Sequence, residues 1–563
     1  MKDAPVIVLG RFRISVPFAC CLRVGGTVLS CSINRNKDEG RNRMQQVRGG
    51  MAALRLVAGL LLAMSALLFA LHFVHLRADF PNHSPWMDWA KYTDEGWYGD
   101  AAIRHYLRGT WRLPGDFNPA AALPVWPVLE GFVFRFTGVG IVAARSLTVC
   151  VFAGVLVCAF LLLNVKAQEG ESRPLRSIFT AAAVLLLASS PFLYVFTRMA
   201  ILEPLLVLLT LLSLLAAHAV RVANTAKQRL WMAVAVGVLV SLMIGTKTTA
   251  VFLLPCIAYM LADAEEWRWR RMLRVAAVTG GTIAVLWGSY IVGLIFRGYW
   301  GDFRYLFSAN SATIANQPFW ETVRNTLTNG TWMGALLYPL AIGLVVLAAF
   351  HKKTWKDPVF VSLLLWVAGY LFFLAYHANM QPRYYVVVAV PLTLLMVRAA
   401  LHVAAWHPSA SLAFVSLLVL LVGRETHVTL GYIRHPEYTF QTAANRIERI
   451  VESHPMHSHT VLSISGSDLS LMTGVPSICD DFGTMDLEDR IAAYKPGWFV
   501  SWNSIEDDKM EALNKFYRLT RVAEFPAMDD PDRNVMIVYR LDAKDGVTPQ
   551  RKKKANVLPV SPG

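Results

Sequence analysis

Charge is what this chain has least of. Only 17% of its 563 residues are Asp, Glu, Lys or Arg, against about 25% in an ordinary soluble domain. With 55% apolar residues and a mean hydropathy of +0.41, that deficit excludes a disordered chain, a fibrous protein and an ordinary soluble enzyme. Cysteine is scarce as well. None of the seven (Cys20, Cys21, Cys31, Cys150, Cys158, Cys256, Cys479) sits in a CxxC pair with a downstream partner, so there is no zinc or redox motif. Cys150 and Cys158 stand in an apolar run, where a thiol behaves as a small hydrophobe. Cys479 is alone in a polar C-terminal region, which therefore holds no internal disulfide. Two-fold internal repeats are lacking, and so is any acidic triplet that demands a metal.

What the chain does have is long uncharged runs. A bilayer core about 30 Å thick takes roughly 20 residues of helix. Eleven runs qualify: 52–76, 140–164, 175–197, 200–220, 230–246, 247–263, 272–296, 332–350, 358–377, 384–403 and 409–424. A twelfth, 122–137, is short, starts with Pro124 and Pro127, and holds Glu130 and Arg135; we expect it to lie at the interface. Short cytoplasmic loops carry the excess of Lys and Arg. With 122–137 not crossing, thirteen basic residues fall on inner turns: Lys166, Arg173, Arg176, Arg221, Lys227, Arg229, Arg268, Arg270, Arg271, Arg274, Lys352, Lys353 and Lys356. Only three, Arg198, Lys247 and Arg383, fall on short outer turns. The expected topology is N-terminus in and C-terminus out. Placed this way, the formal charge of +15 is no nucleic-acid signal.

The expected organisation follows. Residues 1–50 are a basic extension, with Met44 or Met51 as alternative starts; 51–424 form the membrane body, with outer loops 77–139 and 297–331; 425–545 form an outer-face domain; 546–563 are a disordered basic tail. Within the outer domain, 438–453 reads as a helix, VLSIS (461–465) as a strand, and an apolar helix ends at Gly474. Helix Asp486–Tyr494, strand GWFVSW (497–502), helix Asp507–Tyr517 and strand VMIVYRL (535–541) follow. Alternation of that kind predicts a small α/β domain.

Four outer-face elements can do chemistry. The first loop holds Asp88, Tyr92, Asp94, Glu95, Trp97, Tyr98, Asp100, Arg104 and His105. Two close carboxylates repel, which raises one pKa and suits a base; equally, Thr93 or Asp94 can cap a helix over Glu95–Arg108. Next comes Arg198-Met-Ala-Ile-Leu-Glu203-Pro204, where the two charges either serve function or pair to mark a turn. Lys247 interrupts two apolar runs, and His377-Ala-Asn-Met-Gln381-Pro-Arg383-Tyr384-Tyr385 forms a further turn. Single cations at Arg198, Lys247 and Arg383 suit a phosphate at the membrane surface, or simply snorkel. Replacing Lys247 by Met or Leu is expected to spare the fold.

Taken in order, YTDEGWYGDAA around Asp94–Glu95, SPFLYVFTRMAILEP (190–204), the GTK247 turn and QPRYYVVVAVPLTLL (381–395) resemble the membrane glycosyltransferases of the GT-C class. The likeness is to the group holding protein O-mannosyltransferases and lipid-A aminoarabinose transferases, and it covers roughly 52–425. The resemblance implies an inverting transfer of a sugar from a polyprenyl-phosphate donor to an acceptor hydroxyl at the outer membrane face; no cofactor is expected, and a metal is not required, since Lys and Arg alone can neutralise a lipid monophosphate. It also implies Asp94 as general base with Glu95 in support, Glu203 as the family acid of the second turn, and Lys247 and Arg383 as cations for the departing lipid phosphate. Tyr98, Arg198, His377, Gln381 and Tyr384 complete the expected substrate-binding set. One departure stands out. Relatives carry a His/Lys-Pro-Pro-Leu element near the lipid phosphate, whereas Asn118-Pro119-Ala-Ala-Ala-Leu123 lacks the cation, leaving Arg112 or Arg104 to compensate. The expected setting is a bacterial inner membrane. A lipid-linked glycan flippase or a non-catalytic envelope assembly protein is the alternative, although a transporter would show paired repeats.

Overall fold

Punctuation in the chain, more than composition, decides how it threads. The computed structural model describes residues 52–165, 173–312, 318–377, 380–406, 408–503 and 505–545; the N-terminal extension, Lys166 and the basic tail lie outside them. Among the described residues, eight helices are long and apolar enough to cross a membrane: Ala52–Phe73, Ile141–Leu163, Glu203–Val222, Ala226–Thr246, Trp269–Ser308, Pro358–Tyr376, Pro382–Ala405 and Ala413–Glu452. A ninth is added if Phe319–Met333 and Leu337–Ala349, bent by 110° at their junction, count as one span. Each of the eleven expected runs contains a helix, but two are short, Arg176–Ser189 and Thr248–Ala264. The expected run 175–197 is cut at Ser190–Pro191, because proline has no N–H to give and its ring crowds the preceding turn. Ser190 accepts from the Leu193 N–H at 3.3 Å and starts a new helix, Pro191–Phe196. The run 247–263 opens on extended Lys247 and a 3₁₀ turn, Thr248–Leu253, before its α-helix.

Helices that are apolar all round belong inside a bundle, and Pro382–Ala405 is the clearest case, with 94% of its most apolar stretch buried. Near its C-terminal end the buried Arg398 holds Asp357 through two bonds of 2.5 and 3.2 Å and donates to the Leu163 carbonyl at 3.3 Å. Asp357 in turn accepts from the Val359 N–H at 3.1 Å and so caps the Pro358–Tyr376 helix. One ion pair thus ties three spans. The segment 122–137 forms the helix Val125–Thr137, whose 13 residues reach only about 20 Å, short of a crossing. Val128, Phe132 and Phe136 point outward at helical spacing while Trp126, Glu130 and Phe134 are buried.

The C-terminal region is an α/β unit with a five-stranded sheet. Its strands are β1 (Val461–Leu462), β2 (Ser477–Ile478), β3 (Trp498–Trp502), β4 (Tyr517–Pro526) and β5 (Val535–Ala543), in the order β2-β1-β3-β5-β4. β1 pairs in parallel with β2 and β3, and β5 runs antiparallel between β3 and β4. Three strands differ from expectation: β1 stops at Leu462 rather than running over 461–465. β2 has only two residues, too few to show a period, and β4 has a register shift between Arg521 and Ala523 that breaks alternation. Tyr517 opens β4 rather than ending the preceding helix, which stops at Asn514.

This sheet unit is sewn onto the first loop. Asp79 caps the distant helix Thr439–Glu452, accepting from Thr439 Oγ1 at 2.8 Å and the Phe440 N–H at 2.9 Å. The helix Asp94–Arg108 lies against Gly466–Thr473 so closely that a Cβ on Gly96 would sit 2.2 Å from the Ser467 carbonyl carbon. Trp97 Nε1 donates to the Ile464 carbonyl at 3.1 Å, and Ser467 donates to Asp100 at 2.9 Å. Gly96→Ala is therefore expected to cost about 1–3 kcal/mol by overpacking and to lower the melting temperature of purified protein. Gly343→Ala, where an added Cβ meets open space, should leave melting unchanged; equal melting of the two variants would refute the close seam.

Candidate active site

The first loop places its charges through backbone geometry. Asp88, extended in φ and ψ, accepts from the Ala90 N–H at 2.8 Å and so opens the short turn Trp89–Lys91. Two residues past that turn, Thr93 leads into the helix Asp94–Arg108. No side chain caps this helix, so the acids at its start are not there as N-caps. Consecutive residues on a helix point about 100° apart, and Asp94 and Glu95 accordingly enter different surroundings.

Asp94 is buried, and its Oδ2 lies 3.0 Å from Arg383 Nη2 while Thr93 donates to Oδ1 at 3.0 Å. Arg383 also pairs with Asp88 through Nη1, and its backbone N–H donates to Asp88 Oδ2 at 2.8 Å. Asp88, Arg383 and Asp94 form one buried chain of charges. Burial pushes the Asp94 carboxyl up; Arg383 opposes this, and Asp88 and then Glu203 add to it. Glu95 is not the source of the shift, which corrects the expected carboxylate dyad. Glu95 turns the other way and takes both Nε and Nη2 of Arg145, at 2.8 and 2.5 Å, plus the Ala200 N–H at 2.8 Å. It anchors the helix to the 198–203 turn.

That turn separates the expected partners. Arg198 does not meet Glu203: it donates to the carbonyls of His72 at 3.0 Å, Val74 at 2.6 Å and His75 at 2.8 Å and lies over the Tyr194 ring. These contacts close the end of the first span, away from the cavities described below. Glu203, fully buried, pairs with Lys247 instead, while its Oε2 has no hydrogen-bond partner. The Lys247 ammonium also stands 4.2 Å above the Tyr384 ring, with Arg383 4.8 Å from the same ring.

Two cavities meet at this cluster. One, of about 340 Å³, is bordered by Lys247, Thr248, Thr249, Phe373, His377 and Tyr384. The second, of about 370 Å³, is bordered by Asp94, Trp97, Arg383 and, from the C-terminal unit, Ile464 and Phe482. Tyr98, Leu123 and Leu306 line both. Tyr98 stays neutral there, because burial pushes its hydroxyl well above the usual tyrosine range. Gln381 stands apart as a prop, with Oε1 accepting from the Trp89 N–H at 3.1 Å. Ala122 and Leu123 line the first cavity without a cation. Arg104 and Arg112 do not make up the deficit: Arg104 is bound to Asp100 at 2.8 Å and Asp116 at 2.7 Å, and Arg112 to Asp302 at 2.8 Å. No group of three or more His, Cys, Asp or Glu is arranged to hold a metal among the described residues.

Arg145 and Asp468 were not among the residues singled out from sequence, and Asp88 was named there without a role. Arg145 was signalled as a lone charge in the run 140–164, a position that is costly without a partner. Asp468, which accepts from the Gly96 N–H at 3.3 Å, had no sequence link to the loop, since 372 residues separate the two.

Neither the protein-family models nor the curated protein sequences match this chain. Solved structures do. ArnT from Cupriavidus metallidurans, bound to undecaprenyl phosphate, superposes with a TM-score of 0.58 at 15% identity, covering 85% of this chain and 98% of ArnT. Its apo form gives 0.56 at 15% identity over 85% and 98%. The archaeal oligosaccharyltransferase AglB from Archaeoglobus fulgidus, in complex with an inhibitory peptide and a dolichol-phosphate, gives 0.50 at 12% identity, covering 85% of this chain and 74% of AglB. The fold is that of the GT-C glycosyltransferases.

Proposed function

We propose that this chain is an inverting glycosyltransferase that moves a sugar from a polyprenyl-phosphate-linked donor to an acceptor hydroxyl at the outer membrane face. The observation that carries this is the meeting of two cavities at Tyr98, one bordered by Lys247 and one by Asp94. The first suits the lipid-linked donor: apolar walls take the chain, and Lys247 with the hydroxyls of Thr248 and Thr249 faces the phosphate. The second suits the acceptor. Asp94 takes the proton of the acceptor hydroxyl as that oxygen attacks the anomeric carbon from the side opposite the phosphate. The new C–O bond forms as the bond from the anomeric carbon to the phosphate oxygen breaks, and the lipid phosphate leaves with the electron pair. Charge that develops on a leaving group is best met by fixed cations, here Lys247. Arg383 serves Asp94 rather than the phosphate, because its Nη1 and Nη2 are each engaged by a carboxylate. The ligands named for ArnT and AglB, both polyprenyl phosphates, support the donor class.

The test is turnover. Purified protein incubated with undecaprenyl-phosphate-linked sugars and envelope extract should release undecaprenyl phosphate, and no release from any such donor would defeat the proposal. The orientation has its own check. Cys479 is buried and unsuited to labelling, whereas Met456 is 94% exposed. With the native cysteines replaced, Met456→Cys in intact cells should react with a membrane-impermeant maleimide; labelling only after lysis would reverse the topology.

A further inference from the structure

A third cavity, of about 360 Å³, opens beside the Asp94 cavity and shares Trp89, Tyr92 and Arg533 with it. Its size falls within the roughly 300–1,000 Å³ of small-molecule sites. Its walls come from both ends of the chain. Tyr92 and Trp502 are almost fully buried and hold each other at 5.7 Å between ring centroids, and Trp502 Nε1 donates to Ser465 at 2.8 Å. Trp89, by contrast, is 52% exposed and borders both cavities.

The polar side is equally fixed. Asn503 spends its amide on the 531–535 loop: Oδ1 accepts from the N–H groups of Asn534 at 3.1 Å and Val535 at 2.9 Å, and Nδ2 donates to the Pro531 carbonyl at 2.7 Å. Asp530 accepts from the Asp532 N–H at 3.0 Å, and the Arg533 N–H donates to the Asp530 carbonyl at 2.9 Å. So held, Arg533 lies over the Tyr92 ring at 5.4 Å with its Nε unpartnered. Lys91 clamps the loop base to Asp529 at 3.3 Å.

We propose that this cleft is an acceptor subsite for a neutral saccharide, whose ring rests on the exposed Trp89, beside the fixed Tyr92–Trp502 pair, while its accepting hydroxyl reaches Asp94. The proposal rests on the glycosyl-transfer reading above and names its acceptor class. Aromatic faces are electron-rich and match the C–H face of a pyranose. Hydroxyls taken out of water need partners, and carboxylates beside a guanidinium supply acceptors and donors side by side. The cleft charge selects among ligands. Glu506, Asp530 and Asp532 outnumber Arg533 and still exceed the cations when Lys509, 3.4 Å from Glu506, is counted, so a phosphate- or carboxylate-bearing acceptor meets net repulsion, and repulsion is one way specificity is built.

The test uses full-length protein in detergent, applied to an array of neutral oligosaccharides, their phosphorylated or uronate counterparts, and a lysine-rich peptide. The same preparation is titrated with undecaprenyl phosphate. Neutral saccharides are expected to bind. Trp89→Ala should weaken them about tenfold, the loss of one stacked aromatic, and Asp532→Asn should weaken them less, with lipid affinity unchanged in both. Preference for the acidic sugars, binding of the peptide alone, or saccharide binding indifferent to both variants would overturn the proposal. Lipid binding without any saccharide binding would overturn it and leave the transfer reading standing. Saccharide binding that needs Trp89 in a protein indifferent to undecaprenyl phosphate would uphold the subsite and count against the donor.

Discussion

Asp94→Asn is expected to lower turnover at least about 100-fold, the low end for loss of a general base, with donor-lipid affinity nearly unchanged. Asparagine keeps the size and the contact to Thr93 but cannot take a proton at pH 7. The structure sharpens the pH dependence. Because burial raises the Asp94 pKa, the working, ionised form is lost as pH falls through a value above the usual aspartate range of about 3.9. Turnover should therefore rise with pH along an acid limb displaced upward from that value. Arg383→Gln should displace the limb further up, since Arg383 is the group holding Asp94 ionised. Near-wild-type turnover by Asp94→Asn, or an acid limb that stays put in Arg383→Gln, would remove Asp94 from the role of base.

Lys247→Met is expected to destabilise the protein, contrary to what the sequence suggests. Seen as a lone lysine between two apolar runs, Lys247 looks expendable. It is instead the partner of Glu203, which is fully buried with one oxygen already unpartnered. Removing one member of a buried ion pair leaves an uncompensated charge, at about 3–5 kcal/mol. The double variant Lys247→Met/Glu203→Gln removes both charges and should regain most of the lost melting temperature. Donor binding should stay weak in single and double variants alike, by roughly 10–150-fold for a lost charge-assisted bond. Lys247→Met melting like wild type would break the pairing argument, and recovery of lipid binding in the double variant would exclude Lys247 from the phosphate.

Run length made much of the membrane body legible, because hydropathy reports burial in lipid directly. It does not report breaks. Ser190–Pro191 and the extended Lys247 shorten two helices without lowering the apolar count. The small sheet was half legible: β3 and β5 carry enough residues to show strand character, whereas β2 and the bulged β4 do not. At the site, residue types were readable and pairings were not. Asp94, Arg383, Lys247 and Glu203 were singled out as charges near a membrane and Tyr98 as a substrate-binding candidate, yet which cation would face which acid depends on turns that sequence leaves free. Arg198 answers to backbone carbonyls, Glu95 to Arg145 and Gln381 to the Trp89 N–H, so three of the expected site residues serve architecture.

The seam at Gly96 also has a temporal meaning. The helix that carries Asp94 leaves the ribosome early, but the Asp468 carboxylate that receives its Gly96 N–H lies 372 residues later. At about 5–20 residues per second, that interval is roughly 20–75 s. Throughout it the first loop waits without its second wall, and the Asp94 cavity, part of which is built by Ile464, Phe482 and Arg533, does not exist. On the transfer reading proposed above, a nascent chain already threaded through the bilayer is thus catalytically silent until its C-terminal sheet unit folds back onto its first loop.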